Sequence, residues 1–132
     1  MIARLAAALI AVGTATLASA GTASAQQMAM KKPASTQKTI NGTVVDVSCK
    51  FGQGLTGADH RMCAQVCADK GIPLGILGTD GKLYIPTSEA MPGEAQNARL
   101  KDFAEQEVTV SGAVFNAGGA NAIQIASIKR KA

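Results

Sequence analysis

Residues 107–115 read EVTVSGAVF, and residues 122–128 read AIQIASI. In both stretches apolar residues alternate with polar or small ones, a pattern typical of a β-strand with one face in the core. The segment between them, residues 116–121, contains two glycines, so a turn is expected there. The pattern in residues 107–128 therefore predicts two consecutive strands, with Ile123 and Ile125 on one face of the second.

The same alternation occurs earlier, in residues 43–49, TVVDVSC. It predicts a half-buried strand with Val45, Val47 and Cys49 on the core face. Asp46 falls on the opposite face and is expected to be solvated. Residues 50–58 hold three glycines and are predicted to form a loop.

A helix and a hairpin are predicted between these strands. The helix covers residues 59–70 and ends at Gly71. The apolar runs 74–79 and 82–86 are joined by Asp80-Gly81, a strong hairpin signal.

A second helix is predicted over residues 94–105, with Leu100, Phe103 and Ala104 on its apolar face. The order is then strand, helix, two strands, helix, two strands. This is a mainly β, α+β pattern with two short helices. A five-stranded barrel with a helix between its third and fourth strands is the oligonucleotide/oligosaccharide-binding (OB) architecture. Residues 50–72 would be a helical insertion between strands one and two.

Three segments carry a resemblance to a known group of proteins. They are GTVV at 42–45, LKDFAEQEVTVSGAVF at 100–115 and AIQIASI at 122–128. In these segments the chain resembles the small exported bacterial OB-fold proteins, over most of its length after residue 38. The resemblance implies the barrel fold. The cysteine-bearing insertion is not part of that family's pattern.

The N-terminal region predicts export. Residues 1–25 combine a short positive start, an apolar Ala-rich stretch and small-residue cleavage patterns ending at Ala20 and Ala25. Residues 26–38 are polar and predict a flexible leader, and residues 39–132 the OB-like domain. The Ala- and Gly-rich usage suggests a bacterium, so the mature chain is expected to be periplasmic or secreted, with no membrane span.

Composition and motifs exclude several function classes. The net charge is only +4, and the chain has one Tyr, three Phe and no Trp, which argues against nucleic-acid binding. The glycines at 52–57 lack a phosphate-loop ending. No Ser/His/Asp set and no general acid–base pair can be named, so the protein is expected not to be an enzyme.

All three cysteines and the only histidine lie between positions 49 and 67. His60, Cys63 and Cys67 have the spacing i, i+3, i+7, which places them on one narrow stripe of a helix. Cys49, at the end of the first strand, could supply a fourth ligand. Three thiolates and one imidazole predict a soft-metal site for zinc or copper(I), with an iron–sulfur cluster less favoured.

The alternative interpretation is a disulfide. Exported proteins usually pair their cysteines, and three cysteines leave one spare thiol. Residues four apart on a helix lie too far apart for a good disulfide, so Cys49 would pair with Cys63 or Cys67. The chain would then be a stapled module that binds an unknown protein partner. Thiol redox chemistry is a third option, although the expected C-x-x-C motif is absent.

Overall fold

The structure is a computed structural model that describes residues 33–132. The predicted signal peptide, residues 1–25, and residues 26–32 of the predicted leader lie outside the described residues. Within residues 33–132, no helix is both long enough and apolar enough to cross a membrane.

The described part of the chain forms a closed five-stranded barrel with strand order β1-β2-β3-β5-β4. Neighbouring strands are antiparallel except β3 and β5, which run parallel. Three short helices accompany the barrel, two of them between β1 and β2. The OB-like fold with a helical insertion after the first strand is thus confirmed. The strands are β1 (Thr36–Asp46), β2 (Leu74–Gly78), β3 (Leu83–Pro86), β4 (Glu107–Ala117) and β5 (Ala120–Arg130).

The first strand lies earlier in the chain than the alternation predicts. It begins at Thr36, inside the predicted leader, and ends at Asp46. There the Cys49 backbone N–H donates to Asp46 Oδ1 at 2.9 Å, so Asp46 caps a helix, α1 (Val47–Gln53). The predictions of a strand over 47–49 and a loop from residue 50 are therefore wrong. An Asp side chain that satisfies a free backbone N–H outweighs the apolar alternation that follows it.

The rest of the insertion contains the predicted helix. A 3-10 turn, Ala58–His60, leads directly into α2 (Arg61–Asp69). The buried face of α2 consists of Ala64 and Ala68, which are one turn apart and small enough for close approach to the barrel.

The hairpin and the second predicted helix are both present. Ile76 pairs with Tyr84 across the hairpin, and Gly81 in its turn has a φ of 78°. The helix before β4 is much shorter than predicted: α3 (Asn97–Leu100) continues into a 3-10 turn, Lys101–Phe103. It ends there because Ala104 is extended and Glu105 has a positive φ of 56°.

Apolar side chains from every strand fill the barrel. Ala68 of α2 and Leu100 of α3 join this core, with Phe103 and Ile128 packed against it. The alternating residues of β4 and β5 supply it as predicted, and their ladder has an irregularity between Ser111 and Gly112. The strand members of the core are Ile40, Val44, Leu74, Ile76, Tyr84, Val108, Val110, Val114, Ile123 and Ile125.

Candidate metal site

Three potential metal ligands meet where β1 passes into the insertion. Asp46 ends β1, Cys49 lies in the first turn of α1, and His60 ends the 3-10 turn before α2. Each offers one ligand atom, and these three atoms lie within 4.8 Å of one another. All three residues are buried. A carboxylate, a thiol and an imidazole at this separation can share one cation.

Asp46 is completely buried, so the prediction that it is solvated is wrong. Its Oδ1 accepts the cap hydrogen bond from Cys49, whereas its Oδ2 has no hydrogen-bond partner among residues 33–132. Burial acts to raise the pKa of Asp46, but the Cys49 N–H and the nearby thiols of Cys67 and Cys49 outweigh burial and lower it below its ordinary value. The carboxylate is thus held ionised.

His60 is also buried, and its two ring nitrogens differ. Nδ1 lies 3.2 Å from Glu105 Oε1. An ionised Glu105 carboxylate can only accept, so with Glu105 ionised Nδ1 is the donor and, in a neutral ring, Nε2 carries the lone pair. Nε2 has no hydrogen-bond partner among the described residues. Histidines that bind metals are commonly held in this way, with the second nitrogen on a carboxylate.

Glu105, which precedes β4 and lies beside the end of β1, organises the surroundings of the site. Its side chain is fully buried, and its Oε2 accepts from Thr56 Oγ1 at 3.0 Å and from the Gly57 N–H at 2.9 Å. Its Oε1 faces His60 Nδ1 and, at 3.4 Å, the Asp46 N–H. One carboxylate therefore ties the insertion loop, the histidine and the end of β1 together.

The three thiols differ in exposure. Cys49 is buried, Cys67 is partly buried and Cys63 is exposed, and none is in a disulfide. Burial, followed by the Asp46 carboxylate, raises the pKa of Cys49. The neighbouring Asp46 carboxylate, followed by burial, raises the pKa of Cys67 to about 12. Cys67 thus lies next to the Asp46 carboxylate, at the edge of the cluster.

The predicted ligand set was Cys49, His60, Cys63 and Cys67. The structure brings Cys49 and His60 together, with Cys67 at the edge of their site and Cys63 at the surface. The structure adds Asp46 and Glu105 to the site. The sequence pattern predicted Asp46 on the solvent face and did not predict Glu105. The spacing Asp46-x-x-Cys49 is an N-cap signal that could have revealed the position of Asp46. For Glu105 no local signal exists, because its partners are far away in the chain.

Comparisons with protein-family models, with curated proteins and with solved structures find no match to this chain.

Proposed function

We propose that this protein is a non-enzymatic metal-binding protein that works outside the cytoplasm, with its site at Asp46, Cys49 and His60. The observation that carries the proposal is a pair of buried atoms that have no hydrogen-bond partner within residues 33–132, Asp46 Oδ2 and His60 Nε2. An unsatisfied buried polar atom costs about 1–3 kcal/mol. Two of them, next to a buried thiol, are best explained by a cation that both of them bind. Export is supported by the predicted signal peptide in residues 1–25.

Cys67 is the natural fourth ligand. It is partly buried and lies close enough to Asp46 and Cys49 to affect the pKa of each. With Cys67 the set has one oxygen, one nitrogen and two sulfur donors, which suits four-coordinate zinc. Copper(I) prefers an all-sulfur set, so zinc is the better candidate of the two metals expected from the sequence. Glu105 would be the outer carboxylate that orients His60.

Binding requires that both thiols give up their protons to solvent. The affinity of such a site falls in acid, because protons compete with the metal for the sulfur atoms. The resident carboxylate lowers the net charge of the cluster and so compensates for the charge of the incoming cation.

The test is a titration of the purified, metal-free, reduced protein with Co²⁺, followed by displacement with Zn²⁺. We expect one equivalent to bind, with absorption bands of a tetrahedral, thiolate-bound cobalt ion. Asp46→Asn, which keeps the helix cap, and Cys49→Ser should each lose most of the affinity. Asp59→Asn alters an exposed carboxylate of the same insertion and should bind like the wild type.

Two results would contradict the proposal. One is a wild-type protein that binds neither ion. The other is binding that Asp46→Asn and Cys49→Ser leave intact, since the ion would then sit elsewhere.

A further inference from the structure

The three thiols form a graded series from the interior to the surface. Cys49 is only 8% exposed, Cys67 is partly exposed, and Cys63 is exposed. Cys67 lies one turn after Cys63 on α2, and its exposure is between those of the other two thiols. The thiols of the insertion therefore range from the buried cluster to the surface in order of increasing exposure. A purely structural site does not require an exposed third thiol.

Helix geometry allows Cys63 and Cys67 to hold one ion together. They are four residues apart on α2, so their Cβ atoms lie about 5–6 Å apart on one side of the helix. Zinc–sulfur bonds are about 2.3 Å long, so a single ion can bridge two sulfur atoms up to about 4.6 Å apart. The pair fails as a disulfide but fits a bridged ion. This bridging position lies outside the buried cluster, on the solvent side of Cys67.

We propose that Cys63 is the exchange ligand of this site, through which zinc passes between solvent and the buried cluster. The proposal rests on the proposed metal-binding function. Zinc first bonds to the sulfur atoms of Cys63 and Cys67, whose thiols each release a proton to solvent as the Zn–S bond forms. The ion then bonds to Cys49, which also releases a proton, and to Asp46 and His60. Finally the Zn–Cys63 bond breaks, and the Cys63 thiolate takes up a proton. Release follows the same steps in reverse.

In this order of steps, Cys63 affects the rates of zinc binding and release but is not a ligand of the zinc-bound protein at equilibrium. A route that lowers the barrier in both directions accelerates loading and release equally and leaves the affinity unchanged. The protein would then be suited to passing zinc on, and not to holding it permanently. Zinc would then be a cargo that the protein transfers.

The experiment compares Cys63→Ser with the wild type by stopped flow. Release is followed as zinc passes from the loaded protein to excess 4-(2-pyridylazo)resorcinol, a coloured chelator, and the Kd is measured separately by competition. We expect the Kd to stay the same. Release should slow by about tenfold or more, which corresponds to a barrier higher by about 1.4 kcal/mol. Met62→Leu replaces an exposed sulfur donor beside Cys63 and should change neither value.

Three other outcomes would each contradict the exchange role of Cys63. Equal release rates for Cys63→Ser and the wild type would overturn the exchange role and leave the metal site standing. A weaker Kd in Cys63→Ser would also overturn it, because Cys63 would then be an equilibrium ligand. A wild-type protein that binds no zinc would overturn the metal site and the exchange role together.

Discussion

Single carboxylates hold the candidate site together. Asp46 uses one oxygen to cap α1, and its other oxygen has no hydrogen-bond partner in the described part of the chain. Glu105 uses both of its oxygens to position other groups. It does so from a left-handed backbone conformation with φ 56°, which non-glycine residues rarely adopt. Such an outlier, fully hydrogen-bonded and buried, is typical of a residue kept for function.

Glu105→Gln tests this positioning role. The amide has almost the same shape, but one of its two ends donates and cannot accept from the four donors around it. We expect zinc affinity to fall by about 10–100-fold, as for other outer-shell partners of histidine ligands. The Kd should be measured by competition with a coloured chelator, and circular dichroism should show that the fold is retained. Unchanged affinity in a folded variant would show that Glu105 serves structure alone.

A hydrogen-bonded tyrosine–carboxylate pair lies away from the site. Tyr84 Oη donates to Asp80 Oδ2 at 2.7 Å, which joins the hairpin turn to β3. This bond is the largest cause that lowers the pKa of Asp80. Burial, followed by the bond to Asp80, raises the pKa of Tyr84 to about 12.

The signs of these shifts define a pH window. The contribution of Asp80 is present above its unfolded pKa of about 3.9 and is lost as the pH falls through the lower folded value. The contribution of Tyr84 is present below its unfolded pKa of about 10 and is lost as the pH rises toward 12. Tyr84→Phe should therefore cost about 1 kcal/mol at pH 7, measured by urea unfolding. The difference from the wild type should shrink below pH 3. A deficit that stays constant into strong acid would instead indicate lost packing.

At the scale of the strands, the irregular register between β4 and β5 depends on one glycine. A Cβ on Gly112 would lie against the Gln124 carbonyl oxygen and 3.1 Å from Ile125 Cα, both in β5. Backbone atoms of a paired strand cannot move aside as a flexible side chain can. The absence of a side chain therefore allows β4 and β5 to approach closely where their ladder shifts.

Gly112→Ala should destabilise the protein by about 1–3 kcal/mol, the usual cost of overpacking. Gly52→Ala is the matched control. Gly52 lies in α1 with open space around its Cβ position, so alanine there should stabilise by about 0.5–1 kcal/mol. Thermal or urea unfolding of both variants measures the difference. Equal effects at the two positions would show that the approach of β4 and β5 is not tight in solution.

The barrel as a whole brings the site together from distant parts of the chain. Asp46 ends one strand, Cys49 and His60 lie in the insertion, and Glu105 precedes β4. Closure of β1 against β4 sets this arrangement, because Glu105 N–H donates to Val44 O at 2.7 Å beside the end of β1. The cluster forms only in the folded chain, so the proposed metal binding would be linked to folding.

Zinc should therefore stabilise the folded protein. At a free concentration about 100 times the Kd, we expect about 2.7 kcal/mol of added stability. Chelation should remove the gain, and Asp46→Asn should show none, as measured by urea unfolding with and without zinc. A wild-type protein that unfolds identically in both conditions would argue against a site formed on folding.

Local pattern was enough to predict the architecture. Alternation predicted β4 and β5, and Asp80-Gly81 predicted the hairpin, because strand faces and tight turns depend on residues that are neighbours in sequence. It also placed the thiols and His60 in one insertion. At residues 47–49 it was wrong, because one capping side chain competed with the alternation.

Only the folded chain determines which groups form the site. Asp46 and Glu105 are 59 residues apart, and His60 and Glu105 are 45 apart. No periodicity connects such positions, since they meet only when the barrel closes. Burial is decided in the same way: Asp46 is enclosed by the insertion that it caps, whereas Cys63 is left at the surface. The sequence showed which side chains could act as ligands. Long-range packing set the distances between them and their exposure to solvent.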